Sequence, residues 1–305
     1  FYYLNNMDEF QDIYLAKIDQ KTGKLIDKGR SIFGNIKVKS KYPCEWSHNG
    51  RYLATVSLKM DDFPNLIPIQ TMDSQELRQL SPKLKYLIWD FCWSTNDKYI
   101  YGLTWNNETS NDPNATAIYQ IDVNTGEASA IIQSTTDAKI CALDNSPDGK
   151  SLYYTLGYWK SKKASIVMHD LESGSEHEIY VNPEIYPNHI SISPDGKWIS
   201  FITRGSDPTT FTINLIGSSG GEIHELLKLT NVTHITSLEW TPDCQYLFFT
   251  KYFSNNGNEL WRISVENHSL QLCSETKSEN GFMGFRISPD GQNAVYTESL
   301  GRNEL

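Results

Sequence analysis

The sequence predicts an all-β protein, a six-bladed β-propeller with four antiparallel strands in each blade. Three observations lead to this prediction. A short turn motif recurs at a nearly constant interval, and the segments around it alternate apolar and polar residues as strands do. The strands at the two ends of the chain also add up to one blade, which closes the ring.

The recurrent motif is a Ser-Pro-Asp-Gly turn between two apolar segments, seen most clearly at Ser193–Gly196. Proline presets φ, the aspartate side chain bonds back to the backbone, and glycine adopts a positive φ. The aligned Ser or Thr residues are Ser47, Ser94, Ser146, Ser193, Thr241 and Ser288, at steps of 47, 52, 47, 48 and 47 residues. Six copies at such a period indicate a radially repeated β-structure.

Each copy of the motif joins a first strand to a second strand. The predicted second strands are Tyr52–Ser57, Tyr99–Thr104, Leu152–Leu156, Trp198–Thr203, Tyr246–Lys251 and Ala294–Glu298. Third and fourth strands follow across a tight turn, for example at Ala117–Asp122 and Glu127–Ile132. Met72–Leu80 has helical propensity, but its place in the repeat predicts a turn between the third and fourth strands.

The two ends of the chain together complete one blade. The C-terminal end supplies the first and second strands, Phe282–Ser288 and Ala294–Glu298. The N-terminal end supplies the third and fourth, Ile13–Asp19 and Lys24–Ile32. Joining them in one sheet closes the ring and removes exposed edges. Phe1–Leu4 resembles a spare strand, so a ring of seven blades is the alternative.

The length and the net charge of the chain limit its domain organisation and exclude some classes of function. We expect residues 1–305 to form a single propeller domain, monomeric and part of a longer protein. A net charge of −10 argues against nucleic-acid binding. No run of 18 apolar residues occurs, so this segment is not expected to insert into a membrane.

None of the five cysteines forms a CxxC pair. We therefore expect free thiols, with an isolated disulfide as the alternative.

The repeat Ser193-Pro194-Asp195-Gly196-Lys197 and its copies, preceded by Trp or Ile in five of the six, resemble the WD40-like (PD40) repeat of TolB-like six-bladed propellers. The resemblance covers essentially the whole chain. It implies the propeller fold but not one function, because such propellers occur in periplasmic scaffolds, in extracytoplasmic portions of signalling proteins and beside peptidase domains. A periplasmic or otherwise extracytoplasmic location is the expectation that follows.

One segment matches a catalytic motif. Gly217–Gly221 has the G-x-S-x-G spacing of a nucleophile elbow, which requires a strand before it and a helix after it. Here Ser219 falls in a turn between third and fourth strands, and Glu222–Leu227 continues as a strand. We therefore predict a structural turn and name no catalytic residue.

The loops opposite the Ser-Pro-Asp-Gly turns are the expected ligand-binding end, because they converge on the channel mouth. The predicted ligand-binding residues are Trp89, Asp90, Trp105, Lys139, Tyr158, Trp159, His189, Arg204, His234 and Tyr252. Aromatic faces beside cations suit peptides, sugars or carboxylated ligands. The alternative is that these aromatic residues only pack against their neighbours.

A second predicted set lines the channel itself: Glu45, Asp144, Glu239 and Arg286, each two positions before an aligned Ser or Thr. Carboxylates near one axis are ligands that Ca²⁺ prefers, so a channel-bound calcium ion is one alternative. Solvated or mutually paired side chains are the other. No cofactor and no further metal-binding residue is predicted.

The leading functional hypothesis is a non-enzymatic module that binds a protein partner or a small ligand, such as a peptide or carbohydrate, as an extracytoplasmic sensor or scaffold. The alternative is the propeller domain of an enzyme, either beside a serine peptidase or acting as a polysaccharide lyase or hydrolase.

Overall fold

The computed structural model describes residues 11–33, 44–56, 67–105, 116–135, 138–158, 163–182, 188–253, 257–276 and 282–299. These residues form six antiparallel sheets of four strands each. Blade 1 contains β3 (Glu45–Trp46), β4 (Tyr52–Ala54), β5 (Ile67–Thr71) and β6 (Leu77–Leu80); blade 2 contains β7 (Leu87–Trp93), β8 (Tyr99–Trp105), β9 (Ala117–Asp122) and β10 (Ala128–Gln133); blade 3 contains β11 (Ala138–Asn145), β12 (Ser151–Tyr158), β13 (Ala164–Asp170) and β14 (Glu176–Asn182). Blade 4 contains β15 (Asn188–Ile192), β16 (Trp198–Arg204), β17 (Phe211–Gly217) and β18 (His224–Leu229); blade 5 contains β19 (His234–Trp240), β20 (Tyr246–Phe253), β21 (Gly257–Ser264) and β22 (Leu270–Thr276); blade 6 contains β23 (Met283–Ile287), β24 (Asn293–Ser299), β1 (Gln11–Lys17) and β2 (Arg30–Ser31).

The first strands of the six blades surround a central channel. Strands β3, β7, β11, β15, β19 and β23 contact one another in this order, and β23 contacts β3. The prediction of a six-bladed propeller is therefore confirmed over a seven-bladed ring. The spare strand proposed at Phe1–Leu4 lies outside the described residues.

Blade 6 is built from both ends of the chain, as the strand count predicts. Its sheet has the order β2-β1-β24-β23. Strand β1 pairs with β24 from Gln11↔Ser299 to Lys17↔Asn293. Backbone hydrogen bonds between the two ends therefore close the ring.

Apolar residues fill the space between neighbouring blades. Ile67 and Ile69 of blade 1 pack in one cluster with Ile88 and Ile100 of blade 2, and all four side chains have no exposed surface. Each sheet is covered by a blade on either face, so its strands carry long apolar runs as well as alternating ones. The core thus runs around the ring and holds the inner strands in place.

The Ser-Pro-Asp-Gly motif forms the predicted turn. Ser193 Oγ donates to Asp195 Oδ1 at 2.7 Å and accepts from Trp198 N at 2.9 Å. The glycine, Gly196, has a φ of +71°. In the two degraded copies Asp97 and Cys244 hold the glycine position at φ of 57° and 59°. The backbone of the turn is therefore kept even where the glycine is lost.

Some strand boundaries differ from the prediction. The fourth strand of blade 6, predicted at Lys24–Ile32, is reduced to Arg30–Ser31 plus an isolated bridge between Ile18 and Leu25. The segment is interrupted because Asp27 Oδ1 accepts a hydrogen bond from Gly29 N at 3.0 Å, which makes a turn. Met72–Leu80 contains a turn followed by β6, so the expectation of a turn rather than a helix is confirmed.

All five cysteines are free thiols, so the isolated disulfide is not formed. Cys44, Cys92 and Cys273 are buried, and burial raises the pKa of Cys273 to about 12. The described residues contain no helix with the length and apolar character needed to cross a membrane.

Candidate functional site

The inner strands that surround the channel are interrupted by β-bulges. Their pairing with the second strands shifts register between Ile88 and Asp90, Ile140 and Leu143, Asn188 and Ile190, Thr236 and Leu238, and Met283 and Arg286. A bulge re-aims side chains and takes backbone groups out of the ladder. Three blades have a positive φ four positions before the aligned Ser or Thr: His189 at 49°, Ser237 at 58° and Gly284 at 60°.

Polar side chains of the inner strands accept hydrogen bonds from backbone amides at the bulges of the next blade. Asp90 Oδ2 accepts from Leu143 N at 3.4 Å, and Ser237 Oγ accepts from Phe285 N at 3.1 Å. Leu143 is the first residue after a bulge, and Phe285 lies within one. Polar side chains thus satisfy amides that the bulges release.

Two of the predicted channel carboxylates also accept hydrogen bonds from backbone amides of the next blade, two residues nearer to the Ser-Pro-Asp-Gly turn. Asp144 Oδ2 accepts from Ile192 N at 2.8 Å, and Glu239 Oε1 accepts from Ile287 N at 3.1 Å. In the sequence each donor stands 48 positions after its acceptor, which is one repeat. These hydrogen bonds join neighbouring blades and compensate for the burial of the two carboxylates.

Arg286 carries the positive charge that is paired with the channel carboxylates. Its Nε donates to Glu45 Oε1 at 2.6 Å and lies 3.7 Å from Glu239 Oε2. All three side chains are less than one-fifth exposed, at 19%, 17% and 17%. Three of the four predicted channel residues are thus in one buried ionic group, and Asp144 acts through the inter-blade bond.

The carboxyl groups of the channel are hard to ionise together. Burial raises the pKa of Glu45 to about 8 and of Glu239 to about 7, against the opposing effect of Arg286. Burial likewise raises the pKa of Asp90 and of Asp144 to about 6. Four carboxyl groups share one guanidinium, so the raised pKa values keep the negative charge of the channel low. Among the described residues no group of three or more His, Cys, Asp or Glu side chains is arranged to hold a metal ion.

At the mouth opposite the Ser-Pro-Asp-Gly turns, four side chains of blades 4 and 5 form a continuous series of contacts. The Arg204 guanidinium lies 5.7 Å from the centre of the Phe211 ring. That ring meets His234 edge-on at 5.8 Å, and His234 meets His189 edge-on at 6.2 Å. Phe211 is buried, whereas Arg204 and His189 are exposed. We call these four residues the mouth cluster.

Both histidines of the mouth cluster are held neutral. Desolvation and Arg204 lower the pKa of His234 to about 4. Desolvation, His234 and Arg286 lower the pKa of His189 in the same direction. A neutral imidazole has one donor and one acceptor nitrogen, so the cluster offers both beside a permanent cation.

The other predicted mouth residues are distributed around the ring. Tyr252 pairs directly with His234 in blade 5. Trp89 and Asp90 lie on β7 of blade 2, and Lys139 lies on β11 of blade 3. Trp105 and Tyr158 end β8 and β12; their side chains, and the whole of Trp159, lie outside the described part of the chain.

Phe211 is the member of the mouth cluster that sequence reasoning missed. It begins the third strand of blade 4 and pairs with Arg204 across the β16–β17 hairpin. Directly paired residues lie on the same face of a sheet, so counting back from the hairpin would have placed Phe211 beside Arg204.

The G-x-S-x-G segment lies in the predicted turn. It spans the end of β17 and the loop before β18, and Ser219 is exposed there. Gly220 and Gly221 have φ values of 94° and 118°. A strand follows, so the segment lacks the helix that a nucleophile elbow requires.

Solved structures resemble this architecture over most of its length. TolB from Acinetobacter baumannii gives a TM-score of 0.62 at 16% identity, covering 88% of this chain and 64% of that chain. The fold is that of a TolB-like six-bladed propeller. An oligogalacturonate lyase in complex with manganese gives 0.61 at 12% identity, covering 97% of this chain and 99% of that chain. The periplasmic gluconolactonase of Pseudomonas aeruginosa gives 0.57 at 12% identity, covering 92% and 87%.

Sequence similarity is weaker than structural similarity. No protein-family model matches the chain. Dipeptidyl-peptidase 5 of Porphyromonas gingivalis is 24% identical over 157 residues, which are 48% of this chain and 22% of the peptidase. The chain thus matches about a fifth of the length of this curated relative.

Proposed function

We propose that this propeller is a binding module that recognises a protein partner or a small ligand at the mouth opposite the Ser-Pro-Asp-Gly turns. The observation that carries the proposal is the mouth cluster. Its contacts join residues from different strands and two blades, and both of its ends are exposed. Binding sites in proteins place a few polar groups among aromatic and apolar ones, and the mouth cluster has this composition.

The proposed setting is extracytoplasmic, as a sensor or scaffold. The support is structural likeness to TolB and to a gluconolactonase described as periplasmic. Blades 2 and 3 would add Trp89 and Lys139 to the same mouth, whereas Asp90 accepts a hydrogen bond from Leu143 N and belongs to the channel carboxylates. The channel carboxylates are tied to neighbouring blades and serve as the rigid frame of the site.

The test compares the two mouths of the ring. The purified chain is applied to immobilised panels of peptides and oligosaccharides, and the dissociation constant of each hit is measured by calorimetry. The mouth variant combines Tyr158→Ala with Trp159→Ala, and the control is Lys197→Ala at the Ser-Pro-Asp-Gly mouth. We expect affinity to fall at least about tenfold in the mouth variant only, since an aromatic contact to a ligand supplies about 1 kcal/mol. A panel without hits, or equal affinities in both variants, would contradict the proposal.

The second candidate is the propeller portion of an enzyme. It is favoured by the match to dipeptidyl-peptidase 5 and by the lyase and lactonase folds. The discriminating experiment treats the purified chain with a fluorophosphonate probe and with ester and peptide substrates. A binding module leaves all of them unchanged. Labelling or hydrolysis that disappears in Ser219→Ala would establish the enzyme instead.

A further inference from the structure

His189 combines a strained backbone with an uncommitted side chain. Its φ of 49° lies in the left-handed region that favours glycine, and glycine does occupy the equivalent position of blade 6, at Gly284. Ser237, the equivalent residue of blade 5, binds Phe285 N through its side chain. Within the described part of the chain neither ring nitrogen of His189 has a hydrogen-bond partner, and its ring contact is with His234. Strain of this kind is characteristic of functional positions.

Arg204 is oriented by the protein and is still available to a ligand. Its Nε donates to Pro208 O at 3.0 Å, and its guanidinium packs on Phe211. In the described residues neither Nη group has a hydrogen-bond partner. The nearby carboxylate, Asp207, is engaged instead with Thr209 N and Thr209 Oγ1, both at 2.9 Å, and with Thr210 Oγ1 at 3.3 Å.

The charges that act on the two rings are positive. Arg204 acts on His234 and Arg286 acts on His189, and each arginine opposes protonation of its histidine. The carboxylates of the channel are engaged by Arg286 and by backbone amides of the next blades. A guanidinium fork beside neutral imidazole donors matches the planar, two-oxygen geometry of a carboxylate.

We propose that Arg204, His234 and His189 form a subsite that binds a carboxylate group of the ligand. The inference rests on the proposed function and specifies the ligand class of that mouth. The guanidinium Nη groups donate to the carboxylate oxygens. A neutral imidazole of the pair donates one further hydrogen bond, and Phe211 keeps the guanidinium in place. Both a peptide C-terminus and an acidic sugar carry this group.

The experiment follows the C2 protons of His189 and His234 by NMR during titration with propionate at pH 7. Propionamide is the neutral analogue. We expect saturable shifts with propionate and none with propionamide. Arg204→Gln should weaken binding about 10- to 100-fold, the loss typical of a hydrogen bond to a charged group. Arg51→Gln is the matched control, because Arg51 lies over Tyr52 at 5.9 Å but belongs to the opposite mouth.

A second variant separates binding from folding. His189→Gly removes the ring from a backbone that suits glycine, so we expect weaker propionate binding together with an unchanged or higher melting temperature. Ser237→Gly, the same change at the same position of blade 5, should lower the melting temperature and leave binding intact. Unchanged binding in Arg204→Gln, or equal shifts with propionamide, would overturn the proposal.

Two pairs of probes distinguish the sources of the carboxylate. Tetra-alanine is compared with its C-terminal amide, and glucuronate with glucose. Tighter binding of tetra-alanine than of glucuronate assigns the subsite to a peptide terminus, and the reverse assigns it to an acidic sugar. If panel ligands bind at the mouth with affinities that do not depend on a carboxylate, this inference fails while the binding module stands. If no ligand of any kind binds there, both fail.

Discussion

Arg286 Nε lies 2.6 Å from Glu45 Oε1, although the two residues are 241 positions apart in the sequence. The contact joins the last blade to the first. At two other junctions a repeated tryptophan makes the corresponding connection: Trp93 Nε1 donates to Glu45 O at 3.0 Å, and Trp240 Nε1 donates to Ser191 O at 3.1 Å. Trp46 holds the same repeat position at the closing junction, but its buried Nε1 has no partner among the described residues.

The ion pair should therefore make a large contribution at the closing junction. Arg286→Met leaves Glu45 and Glu239 buried without a cation, so we expect the free energy of unfolding to fall by about 3 kcal/mol. Lys163→Met breaks the half-exposed pair with Glu178, which has an N–O distance of 2.7 Å, and should cost less than about 1 kcal/mol. Urea denaturation of both variants checks this. Equal losses in the two variants would contradict a special role for Arg286.

Stability should decrease between pH 6.5 and 8.5. Glu45 and Glu239 have pKa values of about 8 and about 7 in the folded protein, above those of the unfolded chain. The folded state then binds more protons than the unfolded state in this window, so the free energy of unfolding falls as pH rises. The slope is at most about 1.4 kcal/mol per pH unit for each titrating group. The lowered pKa values of His189 and His234 act in the opposite direction, but only below about pH 6.5.

Urea denaturation at several pH values measures this slope. Glu239→Gln should reduce it, because the amide oxygen still accepts from Ile287 N but no longer titrates. Asp195→Asn is the control, since hydrogen bonds from Ser193 and Lys197 lower the pKa of Asp195 to about 2, far from the window. A slope that survives Glu239→Gln unchanged would show that other groups produce it.

The turn between β1 and β2 should not tolerate a side chain at Gly23. A Cβ there would lie 2.8 Å from Arg262 Cδ, and Arg262 is buried with hydrogen bonds to Gln20 O and Gln271 Oε1. Gly174 has the same turn position in blade 3, with φ of 70° against 67°, and open space around it. Gly174→Ala should cost about 1 kcal/mol for the backbone alone, and Gly23→Ala about 1 to 3 kcal/mol more. Equal melting temperatures of the two variants would show that Arg262 does not restrict the side chain at position 23.

The two degraded turns should respond in opposite ways to restoration of glycine. Cys244 has a φ of 59°, so Cys244→Gly should raise the free energy of unfolding by about 0.5 to 1 kcal/mol. Asp97 has a φ of 57° as well, but its carboxylate accepts from His48 N at 2.6 Å and from Asn49 N at 3.1 Å. Asp97→Gly should therefore be destabilising. Thermal unfolding of the two variants decides, and stabilisation by both would mean that the Asp97 contacts contribute little.

The candidate site was only partly predictable from the sequence. The position of His189 and Glu45 in the channel follows from counting back from the aligned serines, because the repeat fixes the register. The pairing of Glu45 with Arg286 does not follow, since it depends on which blade meets which at the closing junction. Phe211 could have been predicted, because the β16–β17 hairpin pairs it with Arg204. The role of Asp144 as an acceptor for Ile192 N depends on the spacing between neighbouring blades, which no local pattern records.

The sequence by itself determined the repeat, the strand order and the closure of the ring, because turn chemistry and apolar alternation are local properties repeated six times. Only the tertiary structure decided how the channel charges are paired and which mouth residues touch. The bulges hold His189 and Ser237 at positive φ, and pKa values depend on burial and on charges from distant parts of the chain. These are properties of the assembled ring and not of any one segment.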